Sequence, residues 1–354
     1  MDSISRLLSI TVKENASDLH LVVGRHPTIR TVGELLPLVN EPVLTADDTR
    51  KMAEMMLEPE MFKQLEKDRE LDFSYTLKID NEHAARFRCN AFFARGAISI
   101  ALRHIPAHIR TFADLGLPDT LEEFCYSPQG FFLVVGPVGQ GKSTTLAAMV
   151  ELINANRARH ILTIEDPIEY LFESKRSIVN QREVRFDTAT FANALRGMFR
   201  EDINVAMIGE MRGPETISTA VTAAETGHLI LSTLHTNNAA QTVDRIIDSF
   251  PAAQQNQIRV QLAGALLGIF SQRLLPRTSG GLIPAYELMR NTTAVSNLIR
   301  EGRTAELGVL IETGSRDGMI DLNRSLVELV ERGEISAEEA RKRAFDPKAL
   351  DRLL

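Results

Sequence analysis

The sequence predicts an α/β protein in which an α+β domain precedes a larger domain with a mainly parallel sheet. From residue 131 onward, short apolar runs alternate with amphipathic helical patterns, and a glycine-rich loop, GPVGQGKST at 136–144, follows the first of these runs. This alternation is typical of a parallel sheet with helices on both faces. With 354 residues, 44% of them apolar, the chain is long enough for two domains with separate cores.

The predicted first domain covers residues 1–110. Alternating or β-rich segments at 19–23, 71–77 and 86–103 predict strands, and the stretch TADDTRKMAEMMLEPEMFKQLEKD between them has helical spacing with acids near its start. Prolines and a Gly-Leu-Pro turn within 105–124 predict a linker. We therefore place the domain boundary near residue 110.

The predicted second domain covers residues 111–354. Its predicted strands are FFLVVG, HILTIED, VAMIGE and HLILSTLHT, and its predicted helices are TTLAAMVELINANR, TFANALRGMFRED and ETISTAVTAAETG. From about residue 251 the pattern predicts a helical C-terminal region, with apolar spacing in QNQIRVQLAGALLGIFSQRLL and MIDLNRSLVELVERG.

Composition argues against several classes of protein. The formal net charge of −7 does not favour a nucleic-acid-binding surface, and Cys89 and Cys125 alone build neither a disulfide framework nor a four-thiolate zinc site. The N-terminal stretch lacks the features of a signal peptide. Apolar stretches such as LAGALLGIF at 262–270 are too short to cross a bilayer. We expect a cytoplasmic protein without direct membrane insertion or a nucleic-acid partner.

The glycine-rich loop fits the phosphate-binding pattern G-x-x-x-x-G-K-[ST] (Walker A) and lies between a predicted strand and a predicted helix. Backbone N–H groups of such a loop surround phosphate oxygens, its lysine reaches the terminal phosphates, and its first hydroxyl binds Mg²⁺. The sequence therefore predicts an ATP and Mg²⁺ site. Its predicted nucleotide-binding residues are Gly136, Pro137, Val138, Gly139, Gln140, Gly141, Lys142, Ser143 and Thr144.

Carboxylates follow two predicted strands, where ligands bind at the edge of an open sheet. ILTIEDPIEY ends in Glu165, Asp166 and Glu169, and VAMIGEMR places Glu210 directly after its strand. Phosphoryl transfer needs a positioned water and a metal-associated acid. We expect Ser143, Glu210 and Asp166 to hold Mg²⁺, partly through water.

Two histidines bracket the strand HLILSTLH: His228 at its start and His235 at its end. His235 is placed to sense the γ-phosphate, and His228 is a weaker candidate for nucleotide contact. The candidate arginine fingers are among Arg86, Arg88, Arg95 and Arg103 in the first domain and Arg196 and Arg200, one helical turn apart, in the second.

Taken together, these motifs resemble the secretion ATPase superfamily and, within it, the pilus retraction (twitching motility) ATPases of type IV pili. The resemblance runs from ASDLHLVVGRHPTIR through RFRCNAFFARG to TAAETGHLILSTLHTNNAAQTVDRIIDSFP and AVSNLIRE. ILTIEDPIEY corresponds to that family's aspartate box, VAMIGEMR to an atypical Walker B motif, and TGHLILSTLHT to its histidine box. By this resemblance, Glu169 and Glu165 polarise the attacking water and Glu210 supports metal and water, while Arg88, Arg103, Arg196 and Arg200 lie near the phosphates.

The resemblance also implies an architecture and partners. It implies a PAS-like N-terminal domain, a RecA-like ATPase domain and a homohexameric ring. The ring is expected under an inner-membrane platform protein, at the cytoplasmic face of that membrane, where ATP hydrolysis drives pilus disassembly.

Three departures from the family pattern keep alternatives open. Gln140 replaces a small loop residue, Gly213 stands where an acid commonly follows Glu-Met-Arg, and AVSNLIRE lacks the arginine of the AIRNLIRE motif tied to retraction. An accessory or regulatory paralogue that acts with a second motor is therefore an alternative. A pilus assembly or type II secretion ATPase is less favoured, because the four-cysteine zinc insert is missing, and a nucleic-acid motor is least favoured.

Overall fold

The computed structural model describes residues 3–31, 33–78, 84–105, 109–211 and 213–354. The chain divides into two compact units, one of residues 1–108 with 167–171 and the other of residues 109–166 with 172–354. Each unit combines helices with a sheet, so the predicted α/β fold class is confirmed. The short segment Pro167–Leu171 groups with the first unit, which the predicted division near residue 110 does not include.

The first unit combines helices with short and long strands. Its elements in chain order are α1 (Ser3–Lys13), β1 (Asp18–Leu21), β2 (Thr28–Thr31), β3 (Glu34–Pro37), α2 (Ala46–Met56), α3 (Pro59–Asp68), β4 (Glu70–Lys78), β5 (Ala84–Ala94) and β6 (Ala97–Ile105). Thr45 and Asp48 form a capping box that starts α2.

The strands of the first unit form an antiparallel sheet in the order β3-β2-β1-β6-β5-β4. Every second residue of these strands faces a core on one side of the sheet. Phe73, Phe87 and Leu102 lie in this core together with Leu8 and Met52 from the helices. An antiparallel sheet with one buried face gives this period-two pattern, which is why the sequence indicated these strands.

The second unit carries the glycine-rich loop. Its elements in chain order are α4 (Phe112–Leu115), α5 (Thr120–Cys125), β7 (Gly130–Val135), α6 (Lys142–Asn156), β8 (His160–Glu165), β9 (Ile178–Glu183), α7 (Phe191–Met198), β10 (Val205–Ile208), α8 (Pro214–Glu225), β11 (Leu229–Leu234), α9 (Ala239–Asp248), α10 (Ala252–Ala265), β12 (Leu266–Pro276), β13 (Leu282–Arg290), α11 (Thr293–Glu301), α12 (Leu307–Thr313), α13 (Leu322–Glu331), α14 (Ala337–Arg343) and α15 (Pro347–Asp351). Short 3-10 turns cover Thr304–Glu306 and Ser315–Asp317.

The sheet of the second unit has the strand order β13-β12-β7-β11-β10-β8-β9. Neighbouring strands from β12 to β9 run parallel, and β13 pairs with β12 in the antiparallel sense. Strands β7, β10 and β11 are buried along their whole length. Burial on both faces explains their continuous apolar runs.

The prediction of a helix through 255–275 is wrong in its second half. Helix α10 ends at Ala265, and β12 then runs between β7 and β13. Leu266, Ile269 and Phe270 are buried in it. A strand buried on both faces shows no alternation, so its apolar run cannot be told from a buried helix by spacing alone.

The predicted helical region from about residue 251 therefore consists of α10 and, after the β12–β13 hairpin, of α11 to α15. Leu326, Leu329 and Ile335 from this part pack with Leu275 and Ile283 of the β12–β13 hairpin in a small separate core. Across the described residues, every helix is too short or too polar to cross a membrane.

Candidate active site

The carboxyl ends of four neighbouring strands define the candidate site. Strands β7, β11, β10 and β8 lie side by side and parallel, so the residues that follow them meet at one edge of the sheet. The residues at this edge are the loop 136–141 after β7, His235 after β11, Glu210 after β10 and Glu165 at the end of β8. The topology thus brings together four motifs that are far apart in sequence.

The glycine-rich loop has a backbone that glycine makes possible. Gly136, Gly139 and Gly141 have φ angles of 149°, 78° and 78°, which residues with a Cβ atom rarely adopt. Gly141 is the N-cap of α6, so Lys142, Ser143 and Thr144 form its first turn. The free N–H groups and partial positive charge of a helix N-terminus favour an anion at this point.

The ammonium group of Lys142 is surrounded by acceptors. Its Nζ atom donates to the carbonyl oxygens of Gly136 and Pro137, both at 2.9 Å, and lies 3.1 Å from Nδ1 of His235. Lys142 is only 7% exposed. Because an ammonium group only donates, Nδ1 of His235 is the accepting nitrogen and Nε2 carries the proton.

Glu210 lies on the other side of the His235 ring. Its Oε1 atom is 3.7 Å from Nε2 of His235. The backbone that carries Glu210 is fixed, because Gly209 donates its N–H to Ile164 O at 2.9 Å and accepts from the Thr233 hydroxyl at 2.7 Å. Lys142, His235 and Glu210 therefore form one connected polar row along the sheet edge.

The carboxylates after β8 have separate surroundings. Glu165 is buried, and its Oε1 atom accepts from the Thr163 hydroxyl at 2.7 Å and from Nε2 of Gln181 at 3.3 Å. Asp166 lies 3.7 Å from the guanidinium group of Arg185. These contacts orient Glu165 at the sheet edge and give Asp166 a cationic neighbour.

The donor set suits Mg²⁺ held jointly with phosphate. A hydroxyl at the start of α6 and carboxylates at the neighbouring strand ends are hard oxygen ligands of the kind Mg²⁺ prefers. Within the described parts of the chain, no three His, Cys, Asp or Glu side chains converge to form a metal site. Mg²⁺ commonly uses one or two protein oxygens together with phosphate oxygens and water, so the residues present fit the ion.

Three of the predicted residues belong to the first unit. Arg88 on β5 lies 3.6 Å from Glu169, within the same unit. Arg103 on β6 is directly opposite Asp18 on β1, and its Nε atom donates to that largely buried carboxylate at 2.9 Å. The structure thus gives Arg103 a cross-strand ion pair inside the first unit.

The structure does not bring all predicted residues of the second unit to this edge. His228 precedes β11 and His235 follows it, so the two histidines lie at opposite ends of a six-residue strand that is roughly 20 Å long. The Nδ1 atom of His228 is 3.1 Å from Ala223 O, and its ring meets Phe199 edge-on. Within this unit His228 therefore does not lie at the edge that carries the glycine-rich loop, and its contact with a nucleotide stays a prediction.

The two arginines of α7 and its C-terminal turn face solvent. Arg196 lies 3.4 Å from Glu215 and donates to Asn193 Oδ1 at 2.7 Å. Arg200 is also exposed. Their described contacts do not include the residues of the glycine-rich loop.

Two departures from the family pattern acquire a structural reason. Gly213 is the N-cap of α8 with φ 84° and ψ 164°, a conformation that an acidic residue would adopt only with strain. The Oε1 atom of Gln140 accepts from the backbone N–H of Leu274 at 2.8 Å.

Sequence reasoning also missed Thr145 and Gln272, whose side chains bond each other beneath the loop, because no motif marks either residue.

Comparison with known proteins gives consistent matches over nearly the whole chain. Residues 2–344 match the family described as type II/IV secretion system protein. The type IV pilus retraction ATPase PilT of Pseudomonas aeruginosa is 43% identical over 344 residues, covering 97% of this chain and 98% of that protein. The type IV pilus ATPase PilU of the same organism is 37% identical over 336 residues, covering 95% and 87%. A crystal structure of the pilus retraction motor PilT with bound ADP gives a TM-score of 0.91 at 45% identity, covering 99% of this chain and all of that one.

Proposed function

Because the chain belongs to the type II/IV secretion system protein family, we propose that it is an ATP-hydrolysing motor that drives retraction of type IV pili. The similarity to secretion ATPases expected from the motifs is confirmed. The observation that carries the proposal is the row of Lys142, His235 and Glu210 at the carboxyl ends of adjacent parallel strands. This row provides a cation, a proton-bearing ring and a carboxylate at the start of a phosphate-binding helix.

We assign the roles in hydrolysis as follows. Lys142 exchanges its carbonyl acceptors for the β- and γ-phosphates, while the loop N–H groups hold the phosphate oxygens. Ser143 and Glu210 would hold Mg²⁺, with Asp166 acting through water, and the bound ion would supply positive charge to the phosphate oxygens. Glu165 and Glu169 orient the attacking water, and His235 senses the γ-phosphate.

The arginines provide the remaining positive charge in this proposal. Arg88 is the strongest candidate, because it is exposed and its carboxylate neighbour Glu169 is itself a proposed catalytic residue. Arg103 is the weaker candidate in the first unit, since its ion pair with Asp18 occupies it. Arg196 and Arg200 are exposed and available to phosphate or to another subunit.

We propose a homohexameric ring that binds an inner-membrane platform protein on its cytoplasmic side. The support is similarity to the pilus retraction motor over nearly its whole length. The same similarity supports a cytoplasmic location at that membrane through protein partners, with ATP and Mg²⁺ as cofactors.

A second candidate function is that of an accessory retraction ATPase that acts with a paralogous motor. Two observations favour it: AVSNLIRE departs from the retraction motif, and the chain is also similar to PilU. In α11, Ser296 stands at the position of the motif arginine, and it is only 7% exposed, with its hydroxyl donating to Ala263 O at 2.9 Å. At this position α11 therefore exposes no basic side chain of the kind that the arginine of the retraction motif has.

The activity is tested with Lys142→Ala. We expect loss of ATP turnover with the fold retained, because the lysine is the main positive charge for the terminal phosphates. The matched control is Lys175→Ala, which removes an exposed lysine paired with Glu151 near the other end of α6. ATP turnover that survives in Lys142→Ala would refute hydrolysis at this site.

The cellular role is tested by supplying this protein to cells that lack their own retraction ATPase. Restored twitching with normal pilus numbers supports an autonomous retraction motor. Persistent hyperpiliation, together with ATP turnover by the purified protein, supports the accessory role. Absence of turnover and of twitching would contradict both.

A further inference from the structure

We propose that strand β12 positions two loops of the nucleotide site through alternate residues, so that Gln272 controls nucleotide binding and Ser271 with Arg273 controls turnover. The inference rests on the proposed ATPase function and adds positioning residues to that site. It concerns four consecutive residues, 271–274, that no sequence motif marks.

Gln272 is buried beneath the glycine-rich loop and is 1% exposed. Its Nε2 atom donates to the carbonyl oxygen of Gln140, and its Oε1 atom accepts from the Thr145 hydroxyl at 2.8 Å. One carboxamide therefore joins the end of the loop to the first turns of α6. A buried carboxamide whose donor and acceptor are both satisfied fixes the groups on either side of it.

The backbone of β12 adds two further contacts to the same loop. Leu274 donates its N–H to Oε1 of Gln140 at 2.8 Å. At the start of the loop, a Cβ atom on Gly136 would lie only 2.6 Å from Gln272 O. The loop is thus bonded to β12 at its far end and packed against it at its near end.

The neighbouring residues of β12 hold the loop that follows His235. The Ser271 hydroxyl donates to Asn237 O at 2.8 Å, and Nη2 of Arg273 donates to Asn237 Oδ1 at 2.9 Å. Asn237 is two residues beyond His235, which bonds Lys142. Alternate residues of a strand point to opposite sides, which accounts for the division between the two loops.

Strand β12 can serve both loops because its pairing with β7 ends at Ser271, opposite Val135. Beyond that pair, β7 gives way to the glycine-rich loop, while β12 continues to pair with β13 as far as Pro276. The positioning segment is therefore held by its other neighbour. A shift of one loop is resisted by the same segment that holds the other loop.

The test compares Gln272→Met with Ser271→Ala in the full chain. Gln272→Met keeps the side-chain length and removes both bonds, so we expect the Kd for ADP to rise about tenfold while kcat at saturating ATP changes less than threefold. Ser271→Ala is expected to lower kcat by a similar factor while the Kd for ADP stays within twofold. A residue with a merely structural role would not divide the two constants in this way.

The matched control is Asn154→Leu, which removes another fully buried carboxamide, on α6, bonded to Glu151, Glu173 O and the Lys175 N–H. We expect it to lower the Tm without changing the Kd for ADP. Should Gln272→Met fail to fold, Gln140→Ala tests another bond between β12 and the same loop, because it removes the bond from Leu274 and should weaken ADP binding about threefold.

Unchanged ADP binding in Gln272→Met, or in Gln140→Ala where the first variant does not fold, would overturn the inference while leaving the proposed ATPase function intact. The same holds if Asn154→Leu weakens ADP binding as strongly as Gln272→Met does. If the unaltered protein neither binds ADP nor hydrolyses ATP, the proposed function fails and the inference fails with it.

Discussion

The imidazole ring of His235 lies between Lys142 and Glu210, with its Nε2 atom 3.7 Å from Oε1 of Glu210 and its Nδ1 atom 3.1 Å from Nζ of Lys142. The lysine fixes the tautomer, and the protonated nitrogen faces the carboxylate. A change on either side of the ring therefore alters the position of His235. This relationship makes Glu210 the first carboxylate to test.

We expect Glu210→Gln to lower kcat by about 10²-fold or more while ADP binding is retained. The substitution keeps the shape of the side chain and removes the negative charge near Mg²⁺ and the His235 ring. Steady-state ATPase assays and ADP titration provide the measurement. Glu225→Gln, an exposed position that accepts from Gln261, is the matched control, and a normal rate in Glu210→Gln would refute the assigned role.

Arg88→Ala should weaken turnover far more than nucleotide binding. If Arg88 stabilises charge in the transition state, kcat falls by up to ~10³-fold and the Kd for ADP changes little. Arg86→Ala is the control, because Arg86 is on the same strand and bonds Ser74 and Thr76 within the sheet. Equal losses in binding and turnover would identify Arg88 as a binding residue.

Glu287 on β13 should make stability depend on pH. Burial raises the pKa of its carboxyl to about 7, although the Ala239 N–H at the start of α9 donates to it. The folded state therefore binds more protons than the unfolded state between pH 4.5 and 7. The free energy of unfolding consequently falls as the pH rises through this window, by at most about 3 kcal/mol from this group.

Glu287→Gln should remove that part of the pH dependence. Comparing free energies of unfolding at pH 5 and pH 7.5 isolates the effect, since other titrating groups are common to both proteins. Glu312→Gln changes an exposed carboxyl and serves as the control. A stability difference between Glu287→Gln and the unaltered protein that is the same at both pH values would contradict the assignment.

Restoring the motif arginine with Ser296→Arg should destabilise the protein. The site is buried against α10, and an arginine there would bury a charge and lose the bond to Ala263 O, a cost of roughly 2–4 kcal/mol. Asn297→Arg, at the next and exposed position of the helix, should leave the Tm nearly unchanged. Twitching improved by Ser296→Arg at an unchanged Tm would show instead that the helix presents this position to a partner.

The sequence predicted the parts of the site that follow from local pattern. The loop at 136–144 and the carboxylates after β8 and β10 are marked by glycines, by apolar runs and by the end of each run, and parallel strand order then brings them together. His235 could be placed at the carboxyl end of β11 for the same reason.

Other features depend on contacts between distant segments that no local pattern reveals. The pairing of β12 beside β7 places Gln272 under the loop, although 127 positions separate it from Thr145. Likewise, the pairing of β1 with β6 sets Arg103 opposite Asp18. His228 was placed correctly at the start of β11, but its contacts with Ala223 and Phe199 do not follow from that position.

The acceptors around Lys142 also bear on product release. When a phosphate leaves, the ammonium group returns to the carbonyl oxygens of Gly136 and Pro137 and to the His235 ring, all within 3.1 Å of it in this structure. Departure of the product therefore leaves no buried, unpaired charge, which would otherwise cost several kcal/mol. The carbonyl oxygens of the loop thus compete with phosphate for the ammonium group of Lys142. This competition lowers the affinity for the product nucleotide and favours its release before the next cycle of hydrolysis.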